Sequence, residues 1–63
     1  MIYFVTGYYR GSMYVSDIRT FTEDKYDDAV IYAKALRDRC DVRFYKTYEN
    51  KAPMPVKEKD WNK

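Results

Sequence analysis

Tyr26-Asp27-Asp28-Ala29-Val30-Ile31-Tyr32-Ala33-Lys34-Ala35-Leu36-Arg37-Asp38-Arg39-Cys40 is the stretch on which the fold turns. Tyr26, Ala29, Val30, Ala33, Leu36 and Cys40 recur at helical spacing and make one apolar stripe. Asp27, Asp28, Lys34, Asp38 and Arg39 fall outside it and read as solvated. Ile31 also points away from the stripe, and a single exposed isoleucine calls for no function. Ala29 and Ala33 let such a helix approach a sheet closely. Upstream, Thr22 is a good N-cap, and Glu23 and Asp24 suit the positive end of the helix dipole. Phe21 and Tyr26 occupy the two positions of a hydrophobic staple, although Lys25 stands where a capping box would have Glu. These signals predict one helix near residues 22–39. Arg39-Cys40-Asp41 is a tight exit without a glycine, so the helix should end there in a strained or hidden way.

The flanks read as strands. Ile2-Tyr3-Phe4-Val5-Thr6 is β-branched and aromatic throughout, and Met13-Tyr14-Val15-Ser16-Asp17-Ile18 has the same flavour. Gly11 can take the positive φ of a tight hairpin turn. A two-residue loop at Arg10-Gly11 pairs Tyr8 with Met13 and Thr6 with Val15. A three-residue loop with a bulge slips that register by one, which flips the face of every residue in the second strand. After the helix, Val42, Phe44 and Tyr48 alternate with Arg43, Tyr45 and Thr47, a half-buried strand over about 41–48. The fold expected is α+β: a ββαβ domain over 1–50, with strands near 2–8, 12–20 and 41–48. With the third strand beside the first, the sheet is three-stranded and antiparallel in order 2-1-3. One helix covers one face and the other stays open. Val30, Ala33, Leu36, Val42 and Phe44 are the expected core.

Beyond Glu49 the chain changes character. Ala52-Pro53-Met54-Pro55 cannot continue a helix or sit in a central strand, and Lys57-Glu58-Lys59-Asp60 has no apolar stripe. Residues 51–63 are expected to be an extended charged tail. Trp61 breaks that picture. It could lie back on the open sheet face among Tyr3, Tyr14 and Tyr45, dock on another subunit or a partner, or stay mobile.

Composition bounds the function. A chain of 63 residues buries only about 60% of the surface it exposes unfolded. One cysteine allows no internal disulfide, and with no histidine there is no zinc cluster. The lone thiol and the lack of a signal peptide fit a reducing cytoplasm. No apolar run approaches the roughly 18 residues of a membrane span. Twelve basic against ten acidic side chains give a net charge of +2, nearly balanced for a nucleic-acid binder. Without histidine there is no Ser-His-Asp or Cys-His machinery, and Cys40 reads as a small buried hydrophobe. Asp24, Asp27 and Asp28 are explained by the helix dipole. Gly7 and Gly11 make no phosphate loop. No enzyme, cofactor or metal site is expected.

Binding is what remains. Tyrosine makes up 8 of the 12 aromatic residues in a chain that is 19% aromatic. Its amphipathic ring suits a core margin or an interface. Tyr3, Tyr14, Arg43, Tyr45 and Trp61 have the composition of interface hot spots and are the candidate partner-binding residues. The third strand would also be an edge where a partner strand could add, and self-association is open. The alternative is a single-stranded nucleic-acid surface of Tyr3, Tyr14, Tyr45, Arg10 and Arg43.

One segment carries a family likeness. Gly7-Tyr8-Tyr9-Arg10-Gly11-Ser12-Met13-Tyr14, followed by Asp17-Ile18, resembles the opening of the Dmd-type antitoxins of tailed phages. Those begin with a glycine, two aromatics, a basic residue, Ser-Met-aromatic and an acidic-Ile pair. The match covers about a quarter of the chain, with a one-residue gap in the turn. It implies a phage protein in the host cytoplasm that binds and blocks a toxin endoribonuclease, and it carries no functional residue across.

Overall fold

The computed structural model describes residues 1–62. In chain order the elements are β1 (Ile2–Tyr9), β2 (Val15–Thr22), a single 3-10 turn (Glu23–Lys25), α1 (Tyr26–Leu36), β3 (Cys40–Thr47), β4 (Met54–Pro55) and α2 (Glu58–Trp61). The fold is α+β with an antiparallel sheet in spatial order β2-β1-β3-β4 and α1 packed on one face. The expected order of the first three strands stands. The count of three does not, because a fourth strand joins the outer edge of β3.

The hairpin register matches neither loop length that the sequence suggested. Tyr8 pairs with Val15 and Gly7 with Asp17, so Ser16 is the extra residue of a bulge. The five-residue loop 10–14 is built from contacts that adjacent sequence does not reveal. Gly11 takes φ +71°, and its N–H donates to the Asp41 carboxylate at 3.1 Å. The Ser12 N–H donates to the Tyr9 carbonyl, and the Tyr9 N–H to the Tyr14 carbonyl, each at 3.0 Å. The Ser12 hydroxyl accepts from the Tyr14 N–H at 3.0 Å.

Register decides which residues meet α1. Tyr3, Val5 and Gly7 of β1 lie on the helix side, across from Phe21, Arg19 and Asp17 of β2 and from Lys46, Phe44 and Val42 of β3. Ala29 and Ala33 are fully buried on the sheet, and an atom placed as Cβ on Gly7 would lie 2.6 Å from a Leu36 methyl. Small residues on both surfaces bring helix and sheet together. Of the expected core, Ala33, Leu36 and Phe44 are buried. Val30 and Val42 are only half-buried and pack at the margin, because the stripe centres on Ala29, Ala33 and Leu36. Val5, Phe21, Ala29, Cys40 and Trp61 complete the core.

Both helix ends differ from expectation. The chain enters through the 3-10 turn, and the Thr22 side chain makes no capping bond. Its hydroxyl donates instead to the Asp24 carboxylate at 2.6 Å, which holds Asp24 below the usual carboxylate range. The staple does not form as a pair. Phe21 packs on Tyr32 (ring centroids 5.8 Å apart), and Tyr26 packs on Tyr3 (5.1 Å). At the exit, α1 stops at Leu36 and the Arg39 N–H donates to the Leu36 carbonyl at 3.1 Å. No left-handed residue is used there; among the described residues only Gly11 and Asn50 have positive φ. The end is capped from a distance and lies at the surface: the Arg10 guanidinium reaches from the hairpin loop and donates to the Arg37 carbonyl at 2.7 Å. Cys40 opens β3 and stays buried.

Residues 51–62 are not an extended tail, and Lys63 lies outside the described residues. Asn50, in the left-handed region (φ 62°) that Asn tolerates better than most residues, turns the chain back. Met54 then pairs with Lys46 and Pro55 with Tyr45. The Val56 N–H donates to the Phe44 carbonyl at 2.9 Å. Hydrogen-bonded residues alternate along an antiparallel pair, so Met54 and Val56 turn their N–H groups inward and Pro53 and Pro55 fall where none is needed. This alternation admits both prolines to an edge strand. The turn of α2 then lays Trp61 against Phe44 (ring centroids 5.6 Å apart), on the helix side of the sheet and only 3% exposed.

Tyr3 and Tyr26 close the core beside Phe44. Burial pushes both phenols above their ordinary pKa. Tyr26, Glu23 and Tyr48 add to the effect at Tyr3, and Asp60 and Asp27 at Tyr26. Both phenols therefore favour the protonated, folded state. Their contribution is fully present below about pH 10, where unfolded tyrosine ionises, and is lost as pH rises through their higher folded-state values. An ultraviolet titration should find these two phenols ionising above the ordinary tyrosine value, with the melting temperature falling over the same interval. A single tyrosine transition with unchanged melting would contradict the assignment.

Candidate functional site

Pleating puts the even-numbered residues of β1 on the face that α1 does not cover. Ile2, Phe4, Thr6 and Tyr8 form its central row. Ile18 and Thr20 of β2 flank one side, and Arg43, Tyr45 and Thr47 of β3 the other. Phe4 and Tyr45 are directly opposed and their rings stack, with centroids 5.3 Å apart and planes at 22°. The Arg43 guanidinium lies 5.2 Å from the Tyr8 ring centroid, a cation–π contact that holds a long side chain flat on the sheet. Thr6, at the centre, is only 5% exposed although no element covers it; its taller neighbours close over it. Ile18 (64% exposed), Val15 and Ile2 stand clear in solvent.

At one end this face runs into the hairpin loop. Tyr8, Arg43 and Asp41 line a small cleft there with Ser12 and Met13. The loop projects Met13 (91% exposed) and Tyr14 (78% exposed). Those side chains are presented on anchored backbone, since Arg10 bonds the Arg37 carbonyl and lies 3.7 Å from Asp41, and Gly11 bonds Asp41. The arrangement is a rigid, mixed aliphatic and aromatic surface with one flat-lying cation.

No family model, curated protein or solved structure matches the chain.

The five residues singled out from the sequence do not share one surface. Tyr45 and Arg43 lie on the open face, and Tyr14 sits in the adjoining loop. Tyr3 is on the opposite face, packed on Tyr26 and Phe44. Trp61 is also there, buried and turned away from any partner of the open face. Arg10, weighed for phosphate contact, is engaged with the Arg37 carbonyl and Asp41. The edge of β3 expected to accept a partner strand is taken over 45–46 by β4. Phe4, Tyr8, Met13 and Ile18 were missed. Strict alternation from Tyr45 through the β1–β3 pairing could have found Phe4; the loop residues depended on a turn the sequence did not specify. Among the described residues no cluster of three His, Cys, Asp or Glu side chains could hold a metal ion, and no helix is long and apolar enough to cross a membrane.

Proposed function

We propose that the chain is a non-catalytic protein-binding module whose uncovered sheet face and hairpin tip dock on and occlude a partner. The observation that carries this reading is the open face itself: stacked Phe4 and Tyr45, Arg43 laid on Tyr8, and Met13, Tyr14 and Ile18 exposed beside them. Rigid aromatic anchors with an adjacent arginine are what protein interfaces use for their binding energy, because little side-chain freedom is lost on docking. The hairpin likeness makes the concrete form a phage antitoxin that acts in the host cytoplasm during host takeover and blocks a defence or toxin endoribonuclease. The hairpin carrying that likeness also holds the highly exposed Met13 and Tyr14, which supports reading the two together.

The second reading is a single-stranded nucleic-acid binder that stacks bases on Tyr45 and Tyr14 with Arg43 at the phosphates. The aliphatic share of the face and the engagement of Arg10 favour protein. A lysate pull-down with and without nuclease, using the wild type and a Met13→Ala/Tyr14→Ala/Tyr45→Ala variant, tests the proposal. The expected result is a stoichiometric host protein that survives nuclease treatment, resists moderate salt, and is lost with the variant at little change in melting temperature. Recovery of RNA or DNA alone, released steeply by salt, would sink the proposal and support the second reading.

A further inference from the structure

We propose that β2 is a self-pairing edge, through which two copies of the chain join antiparallel about Ile18 into one continuous eight-stranded sheet. The far edge of the sheet is partly occupied by β4, so β2 is the long edge left without a neighbour. The direction of its free groups follows from hydrogen bonds at the other side. Phe44 turns its carbonyl to Val56, and the Tyr9 N–H is turned toward the β2 side, to the Tyr14 carbonyl. Alternation then directs Phe4 and Thr6 toward β3, and Tyr3, Val5 and Gly7 toward β2. Their β2 partners Phe21, Arg19 and Asp17 face β1. Ile18, Thr20 and Thr22 are left with N–H and C=O groups aimed outward.

The occupant is argued from charge and from α1. In Asp17-Ile18-Arg19 the opposite charges stand one residue either side of the isoleucine. A two-fold at Ile18 sets Asp17 opposite the partner's Arg19, and Arg19 opposite the partner's Asp17, both on the helix side. Ile18 meets the partner's Ile18 on the open side as a hydrogen-bonded pair. Moving the axis by one residue, to Arg19 or to Asp17, sets that residue opposite its own copy, so the charges select the register. Directly above this edge lies a groove bounded by Arg19, Phe21, Lys25, Ile31, Tyr32 and Ala35. Ile31, 66% exposed on α1, is in it. Continuing the sheet through β2 would bring a second copy's α1 alongside that groove. The exposed isoleucine of the helix and the exposed isoleucine of the strand would thus be covered in one contact.

Sedimentation across a concentration series, with Ile18→Lys, Asp17→Arg and Asp17→Arg/Arg19→Asp as variants, tests this. Ile18 is exposed, so its substitution leaves the monomer fold intact; circular dichroism melting checks the charge variants, since Asp17 lies 3.6 Å from Arg39 and Arg19 stacks on Phe21 and Tyr32. The expected result is a reversible dimer whose dissociation constant rises about tenfold or more in Ile18→Lys. It should rise likewise in Asp17→Arg and recover in the double exchange. Oxidation of Ile18→Cys should trap a covalent dimer, the paired Cα atoms lying within disulfide reach. A monomer at every concentration overturns the proposal, as does a dimer indifferent to Ile18→Lys and Asp17→Arg alike. Tyr45→Ala, on the far side of the open face, should leave the dimer unchanged.

Discussion

Trp61→Ala is expected to destabilise the protein by about 3–5 kcal/mol, the usual cost of emptying a large aromatic site. The indole is 3% exposed and packs on Phe44, which also receives Tyr3 and Tyr26. Removing it opens the end of the core that α2 closes. A domain of this size holds a net stability of only a few kcal/mol, so the variant should be largely unfolded at room temperature. Truncation after Asn50 should do the same, because it removes β4 along with the indole. Trp61 is the sole tryptophan, so its own fluorescence in the wild type follows the docking of α2 during denaturation, and circular dichroism follows the variants. Coincident wild-type transitions by the two probes and a collapsed melting curve for Trp61→Ala are the expected results. Tryptophan release preceding sheet melting, with a truncated chain as stable as the whole, would return residues 51–62 to the status of an appendage.

Leu36→Ala should cost about 2–5 kcal/mol, and Gly7→Ala about 1–3 kcal/mol through overpacking. Leu36 is 1% exposed and presses on the Cα of Gly7, where an added Cβ would sit 2.6 Å from one methyl and 2.9 Å from Cγ. Cys40 closes the other side, with its Cβ at 3.3 Å from the same point. The two sites share one volume, so their effects should not add. In a Leu36→Ala background the Gly7→Ala change should be nearly neutral or partly restoring, since its methyl enters vacated space. Chemical denaturation of the four proteins measures the coupling. Strict additivity would mean that helix and sheet do not meet at this pair.

The helix and its buried stripe were legible because they rest on local periodicity, and the order of the first three strands followed from the few connections a ββαβ chain allows. Ala29, Ala33 and Leu36 sit three to four residues apart and face the sheet as that spacing demands. What was not legible depends on partners distant in the chain. The hairpin register follows from a loop tied down by Asp41 and Arg37, some thirty residues away. One bulge at Ser16 then decided whether Val15 or Ser16 shares a face with Ile18. Strand β4 escaped because two prolines normally argue against pairing; they are admitted only because both fall on non-bonded positions of an edge. Tyr3 and Tyr45 looked equivalent by composition, yet the pairing of Tyr45 with Phe4, not Tyr3, sends them to opposite faces. The open face itself was foreseen, and its membership awaited that pairing.

The place of β1 at the centre of the sheet has a consequence for the order in which the chain acquires structure. The earliest of these strands in chain order needs neighbours on both sides, Thr22 opposite Ile2 on one and Thr47 opposite the same residue on the other. The first neighbour comes by a nearby hairpin; the second requires closing a loop of most of the chain, and Trp61 arrives later still. Half of the central strand's backbone groups therefore stay unsatisfied until residues 40–47 have joined it. A hairpin with Tyr3, Val5 and Phe21 still uncovered is open to the wrong pairing throughout that interval. Long-range closure of this kind slows folding relative to helical proteins of equal length, and the β1–β2 hairpin alone satisfies only one side of the central strand.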